Sequence, residues 1–144
     1  MTIVVGVDGS ATSRVALREA AQEARWRNAS LVAVATYELP LGTPAGGYPA
    51  AAKHTESENR AAAETALRNT LRDELGDQAR QIDLRVSGGL AGHVIIETAR
   101  HAHADLIVLA ASAGKALVPG TVSHHVLSKA ECKVMLVPGA GQDS

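Results

Sequence analysis

The sequence predicts an α/β fold, a Rossmann-like doubly wound sandwich, from three observations. Five short apolar runs rich in valine, isoleucine and leucine alternate with four segments in which apolar residues recur at helical spacing. Aromatic residues make up only 2% of the chain, so the core must be aliphatic, which suits helices packed closely on a sheet. The 144 residues have the length of one domain. Strands that alternate with helices are expected to pair in parallel through right-handed crossovers.

The first two strands and the helix between them are predicted from two β-branched runs and the periodic segment that joins them. Residues 2–8 read TIVVGVD, a pattern typical of a strand buried on both faces. Residues 11–28 have a helical period, and Ser10 stands where an N-cap is expected. The run SLVAVATY at 30–37 predicts a second buried strand. The buried face of the helix is expected to consist of Leu17, Ala20, Ala21 and Ala24.

A long loop precedes the second predicted helix. Residues 38–53 hold three prolines and three glycines, and loops of this length in compact domains are usually functional. We expect this loop to form a mobile flap that carries Tyr48 at the carboxyl end of the second strand. Thr55 and Glu58 have the spacing of a capping box, and the helix that follows is expected to end near Gly76.

The second half of the chain continues the alternation as far as Pro138, which ends the last strand. Apolar and polar residues alternate over 81–87, which is typical of an exposed, edge-like strand. The domain is predicted to cover residues 1–138, followed by a flexible tail at 139–144. The remaining predicted elements are a helix at 92–103, a strand at 105–110, a helix at 121–130 and a strand at 133–137.

Composition and charge exclude several classes of protein. The formal net charge is −1 and the 14 basic residues are spread along the chain, which argues against a nucleic-acid partner. No apolar run approaches about 20 residues, so no membrane span is expected. The N-terminus lacks the basic region and cleavage site of a signal peptide. The single cysteine, Cys132, rules out an intrachain disulfide and suits a cytoplasmic location.

The sequence assigns no catalytic residue and no metal ligand. The patterns G-x-S-x-G, H-E-x-x-H and C-x-x-C do not occur. Glu97 and His101, one helical turn apart, are interpreted as a solvated surface pair. His124 and His125 are adjacent and therefore diverge by about 100° on a helix. Cys132 is interpreted as a small buried hydrophobic residue.

The segment LIVLAASAGKALVPGTVSHHV, at 106–126, combines a predicted strand, a loop and a helix. It is not a Walker A loop, because Leu109 stands at the first glycine position and Ala116 replaces the hydroxyl residue that would hold magnesium. The run GVDGS at 6–10 is not a dinucleotide fingerprint either. The remaining indication of a ligand site is the position of the loops in the fold. Ligands of doubly wound sheets bind beyond the carboxyl ends of strands where the strand order reverses.

Two loops have suitable residues at such a position. Asp8, Gly9 and Ser10 follow the first strand. Gly120 and Thr121 open the helix after the fourth strand, and a helix N-terminus offers free N–H groups to an anion. A purely structural alternative stays open, in which Thr121 is an N-cap and Asp8 a turn residue.

Three runs of the sequence resemble the universal stress protein family. They are IVVGVDGS at the start, ADLIVLA at the fourth strand and GTVSHHVLSKAECKVMLVP at the end, and Gly89 stands where the family usually carries a glycine. The resemblance extends over nearly the whole chain. It implies a five-stranded parallel sheet in the order 3-2-1-4-5 with four helices, and a crevice between strands one and four that brings Asp8 close to Gly120 and Thr121.

Nucleotide-binding members of this family hold ATP phosphates in a G-x2-G-x9-G-[ST] loop, from which this chain departs. Ala110 and Ala113 stand at the first two glycine positions, unless Gly114 serves as the second. Ala110 and Gly120 are 10 positions apart where the motif has 13, so three residues are missing. The resemblance implies that ATP or another adenine nucleotide binds, with Mg²⁺ present only as the ion that accompanies the nucleotide. The start of the helix at Gly120 and Thr121 suits a single phosphate, as in AMP or a cyclic nucleotide. The candidate binding residues are Asp8, Gly9, Ala35, Thr36, Ala110, Gly114, Lys115, Gly120, Thr121, Val122 and Ser123.

Three functions stay open on this basis. The first is a small, non-catalytic cytoplasmic stress-response protein with an altered adenine-nucleotide site. The second is a dimeric protein-interaction module that binds no nucleotide, and the third is a weak ATP hydrolase. The family pairs its last strand with a twofold mate, so the resemblance implies a homodimer, and an apolar edge strand needs such cover. The candidate interface residues are Val134, Met135, Leu136 and Val137.

Overall fold

In the computed structural model, residues 1–39, 55–111 and 121–138 are described, and they contain one parallel sheet of five strands. The pairing order is β3-β2-β1-β4-β5. The α/β class and the strand order expected from the sequence are therefore confirmed. The strands are β1 (Thr2–Gly6), β2 (Ser30–Tyr37), β3 (Asp83–Gly88), β4 (Leu106–Ala110) and β5 (Lys133–Val137).

Helices cover both faces of the sheet. The described residues form four α-helices, as expected: α1 (Ala11–Arg27), α2 (Glu56–Leu75), α3 (Ala91–His101) and α4 (Thr121–Lys129). Helices α1 and α2 pack on one face, while α3 and α4 pack on the other. Because successive residues of a strand point to opposite faces, the central strands must be apolar throughout.

The predicted starts of α1 and α2 are confirmed in atomic detail. The Ser10 side chain accepts a hydrogen bond from the backbone N–H of Ser13, which caps α1. Thr55 and Glu58 form a reciprocal capping box at the start of α2. Each cap supplies a partner for helical N–H groups that have none within the helix.

The third strand begins later than its alternation indicates. Residues Gly76–Gln81 form a 3-10 helix, so β3 starts at Asp83 rather than at 81. Gly76 adopts a positive φ of 57° at the end of α2, where the chain turns into this short helix. The edge position expected for this strand is confirmed by the pairing order.

The core consists of two aliphatic layers separated by the sheet. Ile3 and Val5 of β1 point into the layer beneath α1 and α2, whereas Val4 points into the layer beneath α3. Alanines of α1 are fully buried against the sheet, which lets that helix approach it closely. Strand β1 therefore lies at the centre of the fold, with β2 and β4 paired on either side of it.

Candidate functional site

The strand order reverses direction at β1 and creates a crevice there. From β1 the chain proceeds to β2 and β3 on one side, whereas β4 and β5 lie on the other side. The segments that leave β1 and β4 therefore diverge at the carboxyl edge of the sheet. Between them lies a cavity of about 290 Å³, which the first turns of α1 and α4 also line.

The floor of the crevice is apolar. It is formed by Gly6, Val34, Ile95 and Leu109, which belong to β1, β2, α3 and β4. A Cβ atom added to Gly6 would lie 2.9 Å from side-chain carbons of both Ile95 and Leu109. Glycine at this position therefore lets α3 and β4 approach β1 closely beneath the cavity. An apolar surface of this kind suits the face of a ring system.

A network of hydroxyl groups surrounds Asp8 at the rim of the crevice. Oδ1 of Asp8 accepts hydrogen bonds from the Ser10 backbone N–H at 2.9 Å and from the Ser10 hydroxyl at 2.6 Å. The Asp8 N–H donates to Oγ of Ser13 at 3.2 Å. Both bonds to the carboxylate reach Oδ1, and within the described residues no hydrogen bond reaches Oδ2. The network thus orients the carboxylate and leaves one oxygen for a further donor.

The N-terminus of α4 forms the opposite wall. Thr121, Val122 and Ser123 all line the cavity, and the first turn of α4 carries no acidic side chain. The Ser123 hydroxyl donates to the carbonyl oxygen of Ala110 at 3.3 Å, which ties this turn to the end of β4. The partial positive charge of the helix N-terminus is therefore directed at the crevice, where an anion would be stabilised.

One polar atom of the crevice lining has no hydrogen-bond partner among the described residues. The Thr36 side chain is 2% exposed, and no described residue makes a hydrogen bond with its Oγ1 atom. Thr36 lies two residues beyond Val34 on β2, so both side chains point to the same face of the sheet and both line the cavity. The lining of the crevice therefore includes a buried hydroxyl group.

The structure brings together six of the eleven candidate binding residues. Gly9 does not line the cavity, and the Ala35 side chain lies in the core layer on the opposite face of the sheet. Three further candidates, Gly114, Lys115 and Gly120, lie outside the described residues, as does most of the predicted flap with Tyr48. The six that line the cavity are Asp8, Thr36, Ala110, Thr121, Val122 and Ser123.

Sequence reasoning missed part of the lining. Ile95 and Ala91 come from α3, which no motif connects with a binding site. Gly6 and Val34 could have been predicted as lining residues from the periodicity of a strand. Residues two positions apart on a strand point to the same face of the sheet. Thr12 and Ser13 also line the cavity. The sequence signal that could have identified them is a hydroxyl group on each, close to the N-cap residue of α1.

The family model named universal stress protein family matches residues 1–138 of the chain. The chain belongs to the universal stress protein family. No match is found among curated proteins. The resemblance seen in the sequence is thus confirmed over almost its whole length.

Solved universal stress protein structures share the fold. UspA from Lactobacillus plantarum superposes with a TM-score of 0.70 at 25% identity, covering 95% of this chain and 97% of its own. A universal stress protein in complex with cAMP gives a TM-score of 0.70 at 23% identity, covering 95% and 96%. The protein from Archaeoglobus fulgidus in complex with dAMP gives 0.54 at 21% identity, covering 95% and 97%. Two of these relatives were therefore crystallised with adenine nucleotides.

The other features of this universal stress protein lie away from the crevice. No group of three or more histidine, cysteine or acidic side chains with the arrangement of a metal site occurs in the part of the chain that is described. Within the same residues, none of the helices is both long and apolar enough to cross a membrane. Glu97 pairs with Arg100 at 3.2 Å and its side chain is 41% exposed, which agrees with a solvated surface position; among the described residues no ion pair joins it to His101. Cys132 is half-buried beside the α3 layer, and burial raises the pKa of its thiol.

Proposed function

We propose that this universal stress protein binds an adenine nucleotide in the crevice and acts in the cytoplasm through binding rather than catalysis. The observation that carries the proposal is the crevice itself. It joins an apolar floor, a positioned carboxylate and a helix N-terminus at the point where the strand order reverses. The base occupies the apolar end, and the phosphate lies at the start of α4.

The two ends of the crevice match the two ends of a nucleotide. Gly6, Ile95 and Leu109 offer an apolar contact for a purine. The free Oδ2 of Asp8 can accept a hydrogen bond from a sugar hydroxyl or a base amino group, because an ionised carboxylate is an acceptor only. Thr121 and the free N–H groups at the start of α4 can donate to phosphate oxygens.

The sequence of the β4–α4 connection favours one phosphate over three. Three positions of the family loop are missing between Ala110 and Gly120, and Ala110 itself stands where the loop has its first glycine. Each hydrogen bond to a charged group contributes about 1.5–3 kcal/mol. Loss of two such bonds costs about 3–6 kcal/mol, which corresponds to a factor of roughly 10² to 10⁴ in affinity. Because of the shortened loop, we therefore expect the affinity for AMP or cAMP to be higher than the affinity for ATP.

A binding role also follows from the chemistry of the lining. Of the described residues that line the crevice, Asp8 is the one with an ionisable side chain. Hydrolysis assisted by the protein needs a base and a stabilising group on opposite sides of the reacting phosphorus. Asp8 alone cannot supply both groups. ATP turnover above a protein-free blank that is lost in Asp8→Ala would instead favour the weak hydrolase.

Calorimetric titration tests the proposal directly. The protein is titrated with AMP, cAMP and ATP, the last with and without Mg²⁺, and the titrations are repeated with Asp8→Ala. We expect AMP or cAMP to bind, and Asp8→Ala to weaken that binding about tenfold or more, as the loss of one charged hydrogen bond implies. Asp77→Ala is the matched control, because Asp77 lies on the 3-10 helix away from the crevice and should leave binding unchanged.

The second candidate is a dimeric interaction module without a nucleotide. Strand β5 lies at the edge of the sheet, and its apolar side chains Val134, Met135 and Leu136 are only half-buried. Such an edge needs a partner strand. No heat with any of the nucleotides at millimolar concentration, together with a stable dimer, would favour this candidate.

A further inference from the structure

A second cavity lies at the opposite edge of the sheet from the crevice. It has a volume of about 440 Å³ and is lined by the C-terminal half of α2, the 3-10 helix Gly76–Gln81 and the start of β3. The amino ends of parallel strands share one edge of the sheet, so this cavity is remote from the carboxyl edge at which the crevice opens. No described residue lines both cavities.

Among the residues that the structure describes, three arginines line this second cavity, which we call the arginine cavity. Arg68 and Arg72 are four residues apart on α2, so their side chains lie on the same face of the helix. Arg80 belongs to the 3-10 helix, which the chain enters at Gly76 through a positive φ of 57°. Helical spacing and one glycine turn thus bring three arginine side chains to a single cavity.

The positive charge of the arginine cavity is only partly compensated. Arg68 forms a salt bridge with Glu64 at 3.3 Å. Among the described residues, no hydrogen bond or salt bridge reaches the guanidinium of Arg72 or Arg80. Asp77 is the one acidic residue of the described lining, so three arginines and one aspartate give that lining a net charge of +2. A ligand with two negative charges would neutralise it.

Apolar side chains complete the lining of the arginine cavity. Leu71 and Ile82 are buried and Leu84 is half-buried, and all three pack in the core layer beneath α1 and α2. Small-molecule sites in proteins typically have volumes of about 300–1,000 Å³ and combine apolar walls with a few charged or polar groups. The arginine cavity therefore has the size and the mixed lining of a site for a small organic anion.

We propose that the arginine cavity binds a small organic phosphate, in which a phosphate monoester is attached to an apolar body. A guanidinium group can donate two parallel hydrogen bonds to phosphate oxygens, which suits Arg72 and Arg80 to the head group. A phosphate monoester carries a charge of about −1.5 to −2 at pH 7, which matches the lining. A nucleotide suits this cavity less well, because its sugar and base would place polar groups against Leu71, Ile82 and Leu84.

Calorimetric titration with phenyl phosphate at pH 7.5 and low ionic strength tests the proposal. We expect wild type to bind this probe, and we expect Arg72→Gln and Arg80→Gln each to bind it about tenfold more weakly, as the loss of one charged hydrogen bond implies. Arg85→Gln is the matched control, because Arg85 is also exposed on β3 but points to the opposite face of the sheet from Leu84. It should bind phenyl phosphate as wild type does.

Two further measurements separate binding from other effects. Arg72 and Arg80 are exposed, so each of their variants should melt within about 2 °C of wild type, as expected for a surface substitution. Inorganic phosphate has the head group without the apolar body and should bind wild type at least about tenfold more weakly than phenyl phosphate. Asp8→Ala should leave the affinity for phenyl phosphate unchanged.

Several outcomes would overturn the proposal. They are the absence of heat with millimolar phenyl phosphate, and binding that is unchanged in both Arg72→Gln and Arg80→Gln. An equal loss in Arg85→Gln would show a general effect of net charge, and a loss in Asp8→Ala would assign the probe to the crevice. Inorganic phosphate that binds as tightly as phenyl phosphate would remove the role of the apolar lining. Failure of AMP to bind would overturn only the function proposed for the crevice, because the two cavities share no described residue.

Discussion

The Tyr37 hydroxyl donates a hydrogen bond to Oε1 of Glu56 at 3.1 Å, which joins the last residue of β2 to the first residue of α2. The guanidinium of Arg60 lies 5.5 Å from the centroid of the same ring, and its Nη1 donates to the carbonyl oxygen of Val86 at 2.9 Å. Tyr37 is completely buried. One aromatic side chain thus connects β2 and α2 beside β3.

Replacing Tyr37 by phenylalanine tests this connection. Tyr37→Phe keeps the ring and its contact with Arg60 but removes the hydrogen bond to Glu56, so we expect the free energy of unfolding to fall by about 1 kcal/mol at pH 7. Urea denaturation provides the measurement. Glu56→Gln retains an acceptor and should cost less. Equal stability of wild type and Tyr37→Phe would contradict the connection.

The difference in stability between wild type and Tyr37→Phe has a predictable pH dependence. Burial raises the pKa of Tyr37 above its ordinary value of about 10, and the hydrogen bond to Glu56 raises it further, against a smaller lowering by Arg60. The folded state therefore favours the neutral phenol. The advantage of wild type over Tyr37→Phe should be complete below pH 10 and should decrease as the pH rises from there through the pKa of the folded state. A difference that stays constant to pH 11.5 would contradict the shift.

Ser10 has two roles, and its replacement should show both. Ser10→Ala removes the N-cap of α1 and the hydroxyl that holds Asp8, so we expect a loss of about 1 kcal/mol in unfolding free energy. Thr12→Ala is the control, because the Thr12 hydroxyl contacts only that of Ser10 among the described residues. Its cost should stay below about 0.5 kcal/mol. Thermal unfolding of both variants provides the comparison. Equal losses would show that the Ser10 cap contributes no more to the free energy of unfolding than the Thr12 hydroxyl does.

Gly92 lets α3 and α4 approach each other. A Cβ atom there would lie 3.0–3.1 Å from Cδ2, Cβ and Cγ of His125. Alanine in a helix gains about 1 kcal/mol over glycine, whereas overpacking costs about 1–3 kcal/mol. We therefore expect Gly92→Ala to destabilise wild type by about 1 kcal/mol but to stabilise a His125→Ala background. A double-mutant cycle from chemical denaturation measures this, and the absence of coupling would rule out the steric explanation.

The edge strand β5 should mediate dimer formation. Met135→Glu places a charge on the half-buried edge, so we expect a folded monomer where wild type forms a dimer. Leu127→Glu adds the same charge at an exposed apolar position of α4 and should leave the dimer intact. Sedimentation velocity reports the mass, and circular dichroism shows whether each variant is folded. A Met135→Glu dimer of wild-type stability would place the interface elsewhere.

Cys132 should react slowly with thiol reagents. Burial raises the pKa of its thiol, and the charges of Asp105 and Glu131 raise it further. Because the thiolate is the nucleophile, the folded protein should react with DTNB at pH 8 several times more slowly than the same protein unfolded in urea. Glu131→Gln should increase the folded rate modestly. Equal rates in the folded and unfolded protein would contradict the shift.

Local patterns were sufficient to predict the order of the strands and α-helices and the caps of α1 and α2. The β-branched run of β1 and the alanine face of α1 are each explained by a few residues that are adjacent in sequence. Ser10 and Thr55 act on N–H groups within three residues, so short motifs reveal them. The late start of β3 was not predictable in this way, because Gly76–Gln81 satisfies its backbone in a 3-10 helix that no periodicity indicates.

The sequence by itself determined the α/β class, the family and the residues at the carboxyl ends of β1 and β4. Only the tertiary structure decided which of those residues share one cavity. Side-chain direction separated Thr36 from Ala35, since neighbours on a strand point to opposite faces of the sheet. Packing of α3 brought Ile95 to the floor, and among the described residues no hydrogen-bond partner reaches the Thr36 hydroxyl. Burial and hydrogen-bond satisfaction depend on residues distant in sequence, so they are properties of the fold.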